Sequence, residues 1–482
     1  MDNREVLLVL DAGTSSIRAT AFDDAGSILS FHQHALRTSR PQPGHAEMDP
    51  QHVLDAAGQV ISRCLADCRN NGWQPTALGL SVQRSSFLLW DAAQDQPLSP
   101  VLTWQDHRAD TVLDRYHPHD DLIRGITGLN LAPYYGAPKL AWLMRHDPQL
   151  AGGLAAGAIK FIPLQSLLIR RLTGRLLMDE TIAGRTLLFD IRERRWSDEL
   201  LALFQTPAAC LPEVVPSQSD FGTFEANGYR VPLLVAMGDQ QAAMTGLGAR
   251  QPGDAAINFG TSGSVLLHTG STPRPTGGLL ANAAYSSGAK VEYVLEGTIN
   301  AVGALMHWLA DREGRPDITH KWPELVADTT DLARVPGVNG LAAPYWRSDI
   351  ATTFIPDESG YDLSHRIRAA MESVAFLASD ILVAMFEGQS PLPLKELHCG
   401  GGMARPPLLQ FQADLLQHSL VLHRTREATA RGVALRLAEA LEWDEFGGHR
   451  SGGQRFEPQL DRATSNAHLK RWRQAIKKIL SS

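Results

Sequence analysis

Cysteine is scarce in this chain of 482 residues, four in all, which excludes a disulfide-stapled scaffold and points to a reducing compartment. Cys64 and Cys68 stand one helical turn apart, but without partner ligands that spacing reads as helix packing rather than metal binding. An excess of positive charge is also missing. Lys and Arg total 45 against 52 Asp and Glu, a net charge of −7, so no nucleic-acid surface is expected. Backbone N–H groups can still hold phosphates inside a weakly acidic protein. No apolar run is long and clean enough to cross a bilayer; the best candidate, residues 150–169, carries Lys160 and several glycines. Met1-Asp2-Asn3-Arg4-Glu5 has no basic n-region and reads as the entry to a strand, not as a signal peptide. Absent too are the Gly-x-x-x-x-Gly-Lys-[Ser/Thr] loop and a Gly-x-Gly-x-x-Gly turn after a strand, so P-loop and dinucleotide-binding readings lack their anchors. What remains is a cytoplasmic, enzyme-sized protein, 44% hydrophobic and 20% charged.

The length is too great for one ordinary core, and two large domains are expected. At the midpoint, the β-branched run 231–235 reads as a buried strand, and Ala242 opens a helix. Gly238-Asp239-Gln240 then falls at the carboxyl end of a strand, where open α/β sheets bind ligands. Taken alone, Asp239 reads as the N-cap of the next helix. A pair of matching loops on either side overturns that reading.

The first loop follows Val6-Leu7-Leu8-Val9-Leu10-Asp11. Ala12-Gly13-Thr14-Ser15-Ser16 turns the chain into a strand over 17–22, and Asp23-Asp24-Ala25-Gly26 makes a hairpin turn into a third. A Gly, Thr and Ser loop gathers N–H and hydroxyl donors suited to a phosphate. The second loop repeats the pattern: Ala255-Ala256-Ile257-Asn258-Phe259 leads into Gly260-Thr261-Ser262-Gly263-Ser264. There Asn258 or Phe259 takes the place of the leading carboxylate. A motif repeated in each half, with Asp239 between the copies, implies a duplicated domain around a central cleft.

These motifs, with others in the same order along nearly the whole chain, resemble the FGGY carbohydrate kinases, and the layout is most similar to the glycerol-kinase branch. The resemblance implies an α/β fold of two ribonuclease-H-like (actin/hexokinase-type) domains, 1–247 and 248–482, closing on ATP, Mg²⁺ and a small polyol or sugar. It assigns Asp11, Thr14, Ser15 and Arg18 to the first phosphate loop, with Asp11 and Asp239 at the Mg²⁺. Asp239 is the implied catalytic base. Arg84 and Ser85, within Gln83-Arg84-Ser85-Ser86, line the substrate with Trp104, Tyr134, Asp239 and Gln240. Gly260, Thr261, Gly303, Gly401, Gly402 and Arg405 contact the nucleotide. The family's glutamine one turn after Gly303 is His307 here. Residues 172–200 resemble a connecting region and receive no chemistry. His117-Pro118-His119-Asp120-Asp121 imitates a metal cluster but reads as an exposed proline turn, and the basic helix near 469–480 as a solvated face. A homo-oligomer, dimer or tetramer, is compatible with the resemblance; a nucleic acid or a membrane is not expected.

Two positions depart from the glycerol-kinase pattern. The Glu expected after Arg84 is Ser85, and the aromatic expected three residues after Thr261 is Ser264. A carboxylate hydrogen bond is worth roughly 1.5–3 kcal/mol, and an aromatic wall contributes on a similar order. The two serines leave space for a longer polyol or a ketose. Trp104-Gln105-Asp106 nevertheless follows the glycerol-kinase form, and the Met-His-Gly of xylulose kinases is replaced by Gln83-Arg84-Ser85. Glycerol is therefore the first candidate and a pentulose the alternative. A further alternative is an actin-like ATPase or regulatory member that turns ATP over without a sugar acceptor.

Overall fold

The run Val6–Leu10 is apolar without alternation because both faces of its strand are covered. Val6, Leu8 and Leu10 join one core and Leu7 and Val9 another, as expected of a strand buried on both faces. That strand lies near the middle of a six-stranded sheet in a computed structural model, which describes residues 4–338, 340–386, 393–423, 425, 427–443, 446–447 and 453–481. Residues 1–3, at the head of the segment read as entering a strand directly, lie outside the described residues.

The first sheet contains β1 (Arg4–Ala12), β2 (Ser16–Phe22), β3 (Ile28–Ala35), β4 (Trp73–Val82), β5 (Thr223–Ala226) and β6 (Tyr229–Gly238), in the order β5-β6-β4-β1-β2-β3. β1, β2 and β3 pair antiparallel, whereas β1, β4 and β6 run parallel. The second sheet contains β7 (Ala255–Phe259), β8 (Gly263–Gly270), β9 (Leu280–Ser287), β10 (Lys290–Ile299), β11 (Leu397–Gly400), β12 (Leu420–Leu422) and β13 (Gln454–Phe456). Its order is β9-β10-β8-β7-β11-β12-β13. Three antiparallel strands again adjoin parallel ones, β7, β11 and β12. The duplication implied by the two loops is thus a duplication of sheets, the ribonuclease-H-like pattern occurring twice.

The helices that carry or flank the cleft residues and fill the cores are α1 (Pro50–Asn71), α2 (Gly136–His146), α3 (Asp239–Leu247), α4 (Gly303–Glu313), α5 (Leu363–Phe386), α6 (Pro406–Leu416) and α7 (Ala428–Ala440). α1 buries Cys64 and Cys68 with Val53, Val60 and Ile61 against the first sheet, so the cysteine pair is packing, as read. α5 is long and apolar enough by composition to cross a membrane, but 78% of its most apolar window is buried inside the fold. It is the core helix of the second half. The run 150–169 is instead broken into helix Leu150–Ala155, strand Ile159–Pro163 and the start of another helix.

The two halves exchange helices. α3 follows the first sheet in sequence, yet Met244 and Leu247 pack with Ala256, Leu266 and Val294 of the second. α7 comes from the second half, yet Val433 and Leu437 pack on Leu7 and Val9 of the first. The helices cross at Gly246 and Gly432. A Cβ on Gly246 would stand 1.8 Å from the Ala428 carbonyl oxygen, and one on Gly432 1.8 Å from that of Ala242. Backbone meets backbone there, with no flexible side chain to give way. Gly246→Ala is expected to destabilise by about 1–3 kcal/mol or more through overpacking, read as a lowered urea midpoint; an unchanged midpoint would show that the crossing can open.

Candidate active site

Because β1, β4 and β6 are parallel, their carboxyl ends meet at one edge of the first sheet. Asp11 sits near the end of β1, Gln83 and Arg84 follow β4, and Asp239 follows β6. β6 runs three residues past the stretch read from sequence, and the helix starts at Asp239 rather than Ala242. Gly238 is the N-cap, its N–H donating to Thr181 Oγ1 at 2.8 Å. Asp239 therefore lies in the first helical turn, where Oδ1 accepts from the Gln240 N–H at 2.8 Å. Burial raises the Asp239 pKa and the Arg84 charge opposes the rise.

Arg84 passes directly over Gly238: a Cβ there would stand 2.9 Å from Arg84 Cδ. Its Nε lies 3.5 Å from Asp239 Oδ1. Its two terminal nitrogens donate to the Glu296 carboxylate on β10, each at 2.7 Å, the bidentate geometry that makes Arg–carboxylate pairs strong. Arg185 donates to the same carboxylate. Burial would push Glu296 up, but Arg185 and Arg84 together hold it at about 2.

Asp11 is buried beside Arg18, its cross-strand neighbour, whose Nη1 reaches Oδ2 at 3.2 Å. Its other oxygen, Oδ1, is buried and has no partner. Burial lifts the Asp11 pKa to about 7; Arg18 opposes the rise, and Asp239 and Glu427 add to it. An orphaned carboxylate oxygen within the field of a second carboxylate is a donor set that fits a hard cation. Among the described residues no group of three or more His, Cys, Asp or Glu could hold a metal by itself. The residues 117–121 form an exposed 3₁₀ turn and the start of a helix, in line with the proline-turn reading.

On the other side of the cleft the second loop makes a comparable but tighter turn, its glycine bonding two residues on where the first bonds three. Gly13 N–H donates to Ser16 O and Gly260 N–H to Ser262 O, both at 3.0 Å. Matching Gly13 to Gly260 makes Asn258, not Phe259, the counterpart of Asp11. Gly303 N–H donates to Gly260 O at 3.0 Å. Gly401, at φ +99°, comes so close to the loop that a Cβ would stand 2.4 Å from Phe259 O. The structure thus gathers Gly260, Thr261, Gly303 and Gly401 at the start of α4, with exposed Gly402 and Arg405 leading into α6. Thr14, Ser15 and Arg18 belong to the opposite half, and Arg18 Nη1 approaches Glu427 Oε2 to 3.9 Å.

The remaining residues read as lining the substrate have their own partners. Trp104, 41% exposed, donates its indole N–H to Thr14 Oγ1 at 2.8 Å. Ser264 Oγ donates to Gln240 Oε1 at 2.9 Å. Tyr134 stacks at a tilt on Tyr135, ring centroids 4.6 Å apart, and burial pushes its hydroxyl pKa up, keeping it protonated. Ser85 is buried with φ +59°.

The reading of residues 172–200 as a connection without chemistry needs correction. Arg185 pairs with Glu296, and Thr181 fixes the Gly238 N–H that starts α3. In the sequence Glu296 stands within Leu295-Glu296-Gly297-Thr298, which matches none of the motifs described above. A lone Glu in an apolar strand and a lone Arg among small residues were the available signals. Glu296→Gln leaves buried Arg185 without its carboxylate and Arg84 with Asp239 alone, at 3.5 Å, an expected loss of about 3–5 kcal/mol at pH 7. Because the folded-state pKa of Glu296 is depressed from 4.5 to about 2, its contribution is full above pH 4.5. It is lost as pH falls through 2. Urea unfolding at pH 7 and pH 3 checks this: the gap between wild type and variant narrows at the lower pH.

Residues 6–246 match the N-terminal domain and residues 255–441 the C-terminal domain of the FGGY family of carbohydrate kinases. A glycerol kinase of Methylibium petroleiphilum is 35% identical, over 98% of this chain and 99% of its own length. Among solved structures, Plasmodium falciparum glycerol kinase with ADP superposes with a TM-score of 0.91 at 24% identity, covering 99% of this chain and 98% of that one. A xyloylose kinase from Brucella ovis gives 0.87 at 26%, covering 99% of each chain. Two matched domains, found where the two sheets stand, make the chain a member of the FGGY family of carbohydrate kinases.

Proposed function

We propose that this kinase transfers the γ-phosphoryl group of ATP to a primary hydroxyl of a small polyol, with glycerol the favoured acceptor. The observation that carries the reading is Asp239, at the start of α3 with its carboxylate between the Arg84 side and the Asp11 side of the cleft. Asp239 takes the proton of the attacking hydroxyl; its raised pKa makes it a better base than an exposed carboxylate. Gln240, Arg84, Ser85, Tyr134 and Trp104 orient the acceptor. Thr14, Ser15, Arg18, Gly260, Thr261, Gly303, Gly401, Gly402 and Arg405 bind the nucleotide. Asp11 and Asp239 would hold Mg²⁺, which supplies charge neutralisation at the phosphates when bound. We divide the chain into domains 1–247 and 248–482, so that α3 closes the first. Four buried free cysteines support a reducing cytoplasmic location.

Ser85 and Ser264, where a carboxylate and an aromatic are expected, favour a second reading, a longer acceptor such as a pentulose. ADP release from Mg-ATP against glycerol, dihydroxyacetone, erythritol, xylulose, ribulose and ribitol separates the two. Strong turnover of glycerol supports the first, and turnover of a five-carbon ketose with glycerol nearly inert the second. ATP hydrolysis that ignores the whole panel would mean an ATPase without a sugar acceptor. Asp239→Asn should lower kcat by about 10²–10⁴-fold; an unchanged rate sinks the base assignment.

The Asp11 reading has a test without turnover. A folded-state pKa raised from 3.8 to about 7 means the folded protein holds an extra proton across that window. Stability therefore falls as pH rises through it. Asp11→Asn removes the titration, so in urea unfolding without metal or nucleotide the variant gains on wild type between pH 4 and pH 8. The gain is on the order of a few kcal/mol; parallel pH profiles would refute it.

A further inference from the structure

Lys139, in the first turn of α2, is wholly buried, and among the described residues it has no carboxylate within ion-pair distance. The nearest charges, Asp106 and Arg108, are paired with each other at 2.8 Å. Its ammonium group donates instead to three backbone carbonyls: Ser85 O at 2.7 Å, Thr103 O at 2.7 Å and Leu102 O at 3.3 Å. Three donors meet three acceptors, so the group is saturated. An unpaired buried charge is costly, and hydrophobic packing alone would be served by methionine.

The carbonyls belong to two loops of the proposed acceptor site. One is Arg84-Ser85-Ser86, the other Leu102-Thr103-Trp104. Ser85 stands in the left-handed region, at φ +59°, uncommon for a residue with a Cβ, and its carbonyl ends on Lys139. The loops are joined a second time where the Trp104 N–H donates to Ser86 Oγ at 3.2 Å. Arg84 and Trp104, the side chains that flank the acceptor, leave the backbone immediately beside the tethered carbonyls.

We propose that Lys139 is a positioning residue, whose buried ammonium group ties the two acceptor loops together and so sets the directions of Arg84 and Trp104. This rests on the reading of those loops as the acceptor site. None of the three carbonyls belongs to a phosphate loop, so the effect falls first on the acceptor; the Trp104 indole N–H on Thr14 Oγ1 is the route by which it reaches the nucleotide side.

The experiment is steady-state kinetics of the full chain with the best acceptor of the panel, comparing wild type with Lys139→Met and Lys139→Gln. Folding is checked by thermal melting. The expected result is an acceptor KM raised tenfold or more with the ATP KM within threefold of wild type. An acceptor KM within twofold in a folded variant, or both KM values rising in proportion, overturns the proposal. If neither variant folds, the wild type is assayed from pH 6.5 to 8.5. Burial brings the Lys139 pKa down to about 7, and a neutral amine has two N–H groups for three carbonyls. Asp106, its pKa lowered, and Arg108, its pKa raised, keep one charge state over that range. The acceptor KM, taken at saturating Mg-ATP because Asp11 titrates in the same range, then rises with pH; a flat acceptor KM overturns the proposal. A wild type that phosphorylates no member of the panel removes the acceptor reading and this proposal with it. Good turnover with an unmoved acceptor KM removes only the role of Lys139.

Discussion

The Glu296 carboxylate, shared by Arg84 and Arg185, is the interaction on which the site depends. All three groups are buried or nearly so, and each is tolerable only because the others are present. Arg84 follows a strand of the first sheet and Glu296 lies within the second, so the pair joins the two halves of the molecule. The same guanidinium group faces Asp239 at 3.5 Å. The counter-charge of the proposed base Asp239 is therefore positioned by a residue of the other half, and the site exists as a unit only while the halves are together. Parting them would hydrate Glu296 and free Arg84, and Asp239 would lose the cation that opposes its pKa rise.

The exchanged helices supply the mechanical side of that coupling. α3 and α7 both begin at the cleft, one with Asp239 and the other just after Glu427, and cross at Gly246 and Gly432. α7 packs on the sheet of the opposite half and α3 lies between the two sheets, so the crossing ties both N-termini to both halves. Helix N-termini favour negative charge, which suits a cleft that closes on polyphosphate. The duplication is not electrostatically symmetric: Asp11 in the first half answers to neutral Asn258 in the second. The proposed Mg²⁺ would therefore find its carboxylates on one side only, and phosphate oxygens and water would have to provide the rest of its shell.

Much of this was legible in the sequence, for identifiable reasons. The strand–loop–strand repeat was visible because both parts of the signal are local: an apolar run buried on two faces and a Gly-Thr-Ser turn. Asp239 was legible from its place between the repeats. Arg185, Glu296 and Lys139 acquired no role because their partners lie 111 and 54 positions away in the chain. Nothing local distinguishes a buried guanidinium or ammonium group from an exposed one. α5 was passed over as an apolar run because His365, Arg366, Arg368, Glu372 and Asp380 interrupt it. Those residues mark its polar partners, Glu372 taking Arg368 and Arg471, while the rest of the helix is core.

The same attention to partners changes what the two serines imply for the acceptor. Read from sequence, Ser85 and Ser264 both add space and donors to the pocket. In the structure the Ser264 hydroxyl donates to Gln240 Oε1, so if Gln240 meets the acceptor as proposed, this hydroxyl would act through it rather than directly. The bond turns the amide so that its N–H₂ end is the part left for an acceptor oxygen. The exchange of an aromatic for a serine that orients the Gln240 amide removes contact area from the carbon chain and adds direction at an oxygen. Contact area scales with apolar surface at about 25 cal/mol per Å² and is indifferent to where hydroxyls stand. A hydrogen-bonding site discriminates by leaving buried polar groups unpaired when the matching oxygen is missing. Under the proposed acceptor reading, a pocket built this way would rank acceptors by the placement of their oxygens more than by their length, and among polyols of equal size it would separate stereoisomers.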